Sequence, residues 1–152
     1  MPSFHRFILI LNRCSTLFRA EKTPDEELPP YLQTYILPIC GTPGMSQDRL
    51  AKLMFINKSN VARHLAALEK AGYIERRQNE DDRRVVNVFP TEKALEVRKL
   101  LIEGIREWNS YIMGEFTEEE AEVFYSMLER AANRAASYGG RRVEEDSGED
   151  FK

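Results

Sequence analysis

The sequence predicts a mainly helical α+β fold, in which a helix-turn-helix is followed by a β-hairpin and further helices flank this unit at both ends. One observation is a pair of closely spaced caps, because Ser46 starts one short helix and Asn57 starts another after a tight turn. The second is a pair of short strand-type segments, 73–78 and 84–89, on either side of the polar turn 79–83. Together these features predict a winged helix-turn-helix.

The flanking helices are predicted from apolar spacing and from caps. Residues 4–20 place apolar side chains at i, i+4, i+7 and i+11, which is one helical face. A second helix is predicted at about 30–40, and Pro38 should kink or end it because proline lacks an amide donor. Thr91 opens a long helix, and Thr117, followed by glutamates, forms a capping box that begins the last one.

These segments predict the domain organisation. We expect residues 28–91 to form a winged helix-turn-helix DNA-binding region, residues 1–27 and 92–138 to form a helical dimerisation region, and residues 139–152 to be a disordered acidic tail. The terminal helices carry more apolar surface than one small core can cover, which favours a two-fold homodimer. The alternative is that these helices fold back on their own domain.

The distribution of charge bears on the kind of partner. The net charge is −3, but residues 46–91 carry nine Lys and Arg against six Asp and Glu, whereas residues 92–138 carry six against ten. The predicted helix-turn-helix and hairpin are therefore locally basic, as attraction to phosphate requires. Double-stranded DNA is thus a candidate partner in spite of the acidic total.

Composition also argues against several other classes of protein. The apolar run at 7–11 is five residues long, too short to cross a bilayer, so we expect a cytoplasmic location and no membrane partner. Cys14 and Cys40 have neither disulfide-framework nor zinc-site spacing and are interpreted as structural thiols. No motif pairs a nucleophile with a base or forms a phosphate loop, so we expect no enzyme, metal or cofactor.

The order of these elements resembles the MarR family of winged-helix transcription regulators. The most specific stretch is INKSNVARHLAALEKAGYIER at 56–76, joined at family spacing to Asp82-Arg83-Arg84 and to Thr91. The likeness covers residues 4–138, although Pro90 stands where the family usually has an aliphatic residue. It implies a homodimer on a pseudo-palindromic operator, with one helix in the major groove and the wing in the minor groove, that blocks or permits transcription.

The resemblance implies base-reading positions on the helix after Asn57. Ser59, Asn60 and Arg63 match the groove-facing positions, with Lys58 and His64 beside them. Lys58 is expected to meet phosphate or solvent. Two other interpretations stay open, namely that Ser59 and Asn60 only cap the helix and that Arg63 is a solvated helix residue.

The resemblance also assigns roles within the wing, which is the predicted hairpin at 73–89. Arg84 matches the family's wing arginine, and Asp82 matches the carboxylate that orients it. A guanidinium held by a neighbouring carboxylate loses less freedom when it enters a groove. Arg83 belongs to the same tip, while Arg76 and Arg77 on the first strand are expected to meet phosphate or solvent.

Proteins that resemble this family commonly hold a small aromatic or anionic effector ligand between their helices. By helix position, Arg13 and Tyr35 are candidate lining residues, although core packing also explains Tyr35. The flanks of Cys14 do not match the peroxide-sensing branch, so no redox role is carried over. The alternative function is an architectural or protein-binding winged helix without operator specificity.

Overall fold

The computed structural model describes residues 3–23 and 25–138, and in these ranges the chain forms six helices and three strands. In chain order they are α1 (Phe4–Lys22), α2 (Pro30–Gly41), β1 (Met45–Ser46), α3 (Gln47–Leu53), α4 (Lys58–Lys70), β2 (Ile74–Gln78), β3 (Val86–Pro90), α5 (Glu92–Met113) and α6 (Glu118–Tyr138). The predicted mainly helical winged helix-turn-helix is confirmed. The predicted tail at 139–152 lies outside the described residues.

Four helices begin at the capping residues that the sequence predicts, and local hydrogen bonds form each cap. The side chains of Ser46, Asn57 and Thr91 each accept a bond from the amide three residues later, at 3.2, 2.8 and 3.4 Å. Thr117 and Glu120 exchange reciprocal bonds in a capping box, at 3.2 and 2.9 Å. Each such cap contributes about 1 kcal/mol to helix stability.

Pro38 was predicted to kink or end α2, and it does not end the helix, which continues to Gly41, close to the predicted range of about 30–40. Proline removes one backbone donor, but the carbonyl of Pro38 still accepts a bond from Thr42 at 3.0 Å. Residues Ile36 and Ile39 on either side are fully buried. Burial of this apolar helix stabilises it more than the loss of one hydrogen bond destabilises it.

The three strands form an antiparallel sheet in the order β1-β3-β2. Val88 of β3 lies between Arg76 of β2 and Met45 of β1 in the register. Strand β1 was not predicted, since a two-residue strand has no periodicity and forms only because β3 is beside it. The hairpin is therefore attached to the start of the helix-turn-helix.

Side chains also fasten the base of the hairpin to α5. The hydroxyl of Thr91 donates to the carbonyl of Gly72 at 2.7 Å, and the ammonium of Lys93 lies 4.2 Å from the ring centre of Tyr73. Tyr73 in turn donates to Asp25, and burial together with that carboxylate raises the pKa of Tyr73 above its ordinary value. Gly72 follows the last turn of α4 with φ 78°, a left-handed backbone conformation that glycine adopts without steric strain.

One core joins the helix-turn-helix to α2 and α5. Its fully buried members include Tyr35, Ile36, Ile39, Leu50, Val61, Leu65, Leu68, Val88 and Ala94. Because α4 contributes three of them from one face, its opposite face must point outward. In contrast, α1 has no buried residue, and among the described helices none is apolar over a length sufficient to cross a membrane.

Candidate nucleic-acid interface

The first two turns of α4 present polar side chains to solvent. Lys58, Ser59 and Arg63 are exposed and Asn60 is half-buried, whereas Val61 on the opposite side is fully buried. This division follows from the helical period, which separates the apolar positions of α4 from the polar ones. The structure thus brings three of the predicted base-reading residues, Ser59, Asn60 and Arg63, to one accessible end of one helix.

Arg63 is oriented by its neighbour on the helix. Its Nη2 donates to Oδ1 of Asn60 at 3.1 Å, one turn earlier. The backbone amide of Asn60 is meanwhile held by the cap residue Asn57. Asn60 therefore directs the guanidinium, while capping itself is performed by Asn57, not by Ser59 or Asn60.

Lys58 is paired across the helix-turn-helix. Its ammonium donates to Oδ2 of Asp48 on α3 at 2.6 Å. Both side chains stay largely exposed, at 70% and 63%. Exposed ion pairs contribute only about 0–1 kcal/mol, so a phosphate can compete with Asp48 for this lysine.

His64 points away from the exposed end of α4 and towards α2. Its Nδ1 lies 2.9 Å from the hydroxyl of Tyr35, and its ring centre lies 5.3 Å from that of Tyr31. Burial lowers the pKa of His64 below the ordinary imidazole value, and the charge of Arg63 lowers it further. His64 was expected beside the base-reading residues. Its side chain instead lies between α4 and α2, away from the exposed end of α4.

The tip of the hairpin is built by short polar side chains. Oδ1 of Asn79 accepts from the amides of Asp81 and Asp82 at 2.9 and 3.1 Å. Oδ1 of Asp82 accepts from the amide of Arg84 at 3.0 Å. Asp82 therefore shapes the backbone beneath Arg84, whereas the resemblance implied that it would hold the guanidinium. Arg83 and Arg84 are both exposed at this tip.

The two strand arginines have protein partners. Arg76 donates from Nε and Nη2 to Oε2 of Glu69, at 2.9 and 2.6 Å, which ties β2 to the end of α4 and lowers the pKa of Glu69. Arg77 donates to Glu75 at 2.6 Å and lies 4.6 Å from the ring centre of Phe89. Arg76 thus orients the wing against α4, and phosphate contact is the less suitable role for it.

A second feature is a small pocket between α1, α2 and α5. It has a volume of about 180 Å³ and is lined by Arg19, Gln33, Thr34, Leu37, Pro38, Leu101 and Ile105. Nε of Arg19 and Oε1 of Gln33 are buried there, and neither has a hydrogen-bond partner among the residues that the structure describes. Burial lowers the pKa of Arg19, yet arginine stays charged.

The candidate ligand residues Arg13 and Tyr35 do not line this pocket. Arg13 is exposed on α1 and lies about 120° around the helix from Arg19, whereas the buried Tyr35 faces His64. The sequence signal that was missed is Gln33, a polar residue within the apolar run of α2. Within the described ranges, no three His, Cys, Asp or Glu side chains gather into a metal site.

Comparison with known proteins finds one family to which this chain is similar. The family model described as MarR family matches residues 38–86, a range that contains α3, α4 and the tip of the hairpin. A MarR protein from Peptoclostridium difficile matches this fold with a TM-score of 0.84 at 28% identity, over 89% of each chain. The chain is similar to the MarR family in sequence over residues 38–86 and in fold over most of its length. This MarR family consists of transcriptional regulators and not of enzymes.

Two further proteins are also similar to this chain. The uncharacterised HTH-type transcriptional regulator YybA of Bacillus subtilis is 30% identical over 96 residues, which is 63% of this chain and 64% of YybA. The chain therefore matches a little less than two thirds of that relative's length. A MarR family transcriptional regulator from Listeria monocytogenes, complexed with 26mer DNA, shares the fold with a TM-score of 0.81 at 23% identity, over 93% of this chain and 98% of the other.

Proposed function

We propose that this chain is a homodimeric, DNA-binding transcriptional regulator that recognises a pseudo-palindromic operator. In this proposal residues 28–91 read the DNA, residues 1–27 and 92–138 form the dimer, and the protein acts in the cytoplasm beside the chromosome. The observation that carries the proposal is the exposed polar start of α4, with Arg63 oriented by Asn60. We call α4 the recognition helix.

The shapes of the two elements suit the two grooves of DNA. A major groove about 12 Å wide admits an α-helix, and arginine can bond two acceptors of guanine there. A narrow minor groove has an enhanced negative potential that attracts an inserted arginine, which fits Arg84 at the hydrogen-bonded wing tip. The fold shared with the Listeria regulator bound to 26mer DNA supports this assignment.

The unburied apolar surface of the terminal helices supports the dimer. Large apolar side chains are exposed along both helices, namely Phe4, Phe7, Ile8, Leu9, Ile10, Leu11 and Leu17 on α1 and Val123, Tyr125, Met127, Leu128 and Tyr138 on α6. Exposed apolar area of this extent is typical of an interface, because burying it releases free energy in proportion to area. A second copy supplies a matching surface by two-fold symmetry.

The pocket at Arg19 and Gln33 is the proposed effector site. A carboxylate on the ligand would accept from Nε of Arg19, and a ligand hydroxyl would donate to Oε1 of Gln33. The surrounding Leu37, Leu101 and Ile105 favour an apolar or aromatic body. A small aromatic acid fits this chemistry, and it can regulate only by binding one spacing of the two recognition helices better than another.

A binding titration tests the proposed function. DNA sites selected from genomic fragments are compared with random duplex at fixed salt, and the selected sites should bind about 10³-fold or more tightly, with two chains per site. Adding small aromatic acids should release the wild-type protein, while Arg19→Met should resist release. A ratio of selected-site affinity to random-duplex affinity near one would contradict specific operator recognition. It would favour the alternative of an architectural or protein-binding module.

The pair between Lys58 and Asp48 leads to a prediction about salt dependence. Asp48→Asn frees Lys58 and removes a negative charge near the DNA, so affinity for selected and random duplex alike should rise about twofold to fivefold, the range for one exposed ion pair. Lys58→Ala should reduce the slope of log K against log salt by about one. Glu103→Gln on α5 alters net charge equally and is the control. If Asp48→Asn changes binding no more than the control does, the competition between Asp48 and phosphate is absent.

A further inference from the structure

We propose that Tyr35 is a positioning residue for DNA recognition, acting through its hydrogen bond to His64 to hold the rotation of the recognition helix about its axis. This inference rests on the proposed function, since it concerns how the base-reading residues are aimed. In this proposal Tyr35 does not line a ligand pocket and His64 does not contact DNA. The pair instead positions the recognition helix.

The His64 imidazole packs against the rings of two tyrosines on α2. Tyr31 and Tyr35 lie one turn apart on α2, and their ring centres are 5.3 and 5.5 Å from that of the imidazole. The Tyr35 ring meets the imidazole edge-on, at 81°. In the neutral tautomer that carries its proton on Nε2, the Tyr35 hydroxyl donates to Nδ1 across 2.9 Å.

The two partners are anchored to different degrees. Tyr35 lies on α2 and is fully buried in the hydrophobic core, so packing restricts the position of its hydroxyl. His64 is half-buried and immediately follows Arg63, whose guanidinium is exposed. A bond at His64 therefore connects the rigid interior directly to the base-reading turn.

Apolar packing alone does not set the rotation of this helix closely. Val61, Leu65 and Leu68 hold the recognition helix against the core, but apolar contact has little directional preference. A rotation of about 10° moves a side-chain group that is roughly 5–6 Å from the helix axis by about 1 Å. Hydrogen bonds to a base weaken steeply over such a displacement. The directional bond to Tyr35 resists this rotation.

The test uses the full-length chain with Tyr35→Phe, which removes only the hydroxyl. The ratio of affinities for selected and random duplex should fall about fivefold, the size expected for one net hydrogen bond, while affinity for random duplex stays unchanged. Tyr31→Phe is the matched control, because that hydroxyl lies on the same helix without bonding His64. In the DNA-free protein, amide hydrogen exchange of 58–70 should accelerate in Tyr35→Phe and not in Tyr31→Phe.

Two substitutions at His64 separate positioning from direct contact with DNA. His64→Asn keeps an acceptor near the place of Nδ1 but lacks the far side of the ring, so it should retain the wild-type ratio, whereas His64→Leu should lose it. Equal losses in both would mean that His64 touches DNA, and would overturn the proposal. An unchanged ratio and unchanged exchange in Tyr35→Phe would also overturn it. If the wild type itself shows no specificity, the proposed function fails, and the exchange measurement alone decides whether Tyr35 holds the helix.

Discussion

Replacing Arg63 with alanine is expected to weaken binding to selected sites by roughly 5- to 150-fold, which corresponds to the about 1–3 kcal/mol that a bidentate contact to guanine contributes. The guanidinium is exposed, and Asn60 directs it by a 3.1 Å bond. Because the side chain lies outside the core, the free energy of unfolding should change little. Titrations of wild type and variant against selected and random duplex measure the effect.

A charge-conserving variant separates base reading from attraction to phosphate. Arg63→Lys keeps the positive charge but loses the planar fork, so it should recover binding to random duplex without recovering the selected-site preference. If Arg63→Ala weakens both duplexes equally and Arg63→Lys restores both, then Arg63 meets phosphate and the assignment to a base is wrong.

Replacing Arg84 with alanine is expected to weaken binding to selected sites by roughly 10- to 150-fold, since hydrogen bonds that involve a charged group contribute about 1.5–3 kcal/mol. The tip backbone is held by Asn79 and Asp82, so the variant should keep the hairpin and lose only the inserted group. Preference for narrow A·T-rich minor grooves should relax at the same time. A series of duplexes that differ only in the A·T content under the wing measures both changes.

The neighbouring Arg83 offers the matched control for the wing. It is exposed at the same tip, and Arg83→Ala removes the same charge. Its effect should be small and independent of sequence, as for a phosphate contact. Equal binding by wild type and Arg84→Ala at physiological salt would remove the wing from the mechanism.

The starts of the helices could be predicted because their causes are local. Ser46, Asn57, Thr91 and Thr117 each bond an amide three residues away, so the sequence around each cap contains the whole interaction. The apolar spacing of α4 likewise predicted which face would be buried and therefore that Ser59 and Arg63 would be accessible.

The partners of the polar side chains could not be predicted in the same way. Arg76 was expected to meet phosphate or solvent, but the turn after α4 brings it back to Glu69. His64 was placed beside the base-reading residues, yet it bonds Tyr35, which is 29 residues earlier in the chain. Arg19 and Gln33 share a pocket only because α1 and α2 pack together.

The order of the helices, their caps, the basic character of the segment at 46–91 and the resemblance to a known family all followed from the amino-acid sequence. Packing between distant segments set the pairing of β1 with β3 and the orientation of His64, and the folded structure gives Arg76 and Arg77 ion-pair partners, in contrast to the exposed arginines at the wing tip. The physical reason is range: caps and periodicity act over one or two turns. Which cation meets which carboxylate depends on packing between segments far apart in the chain.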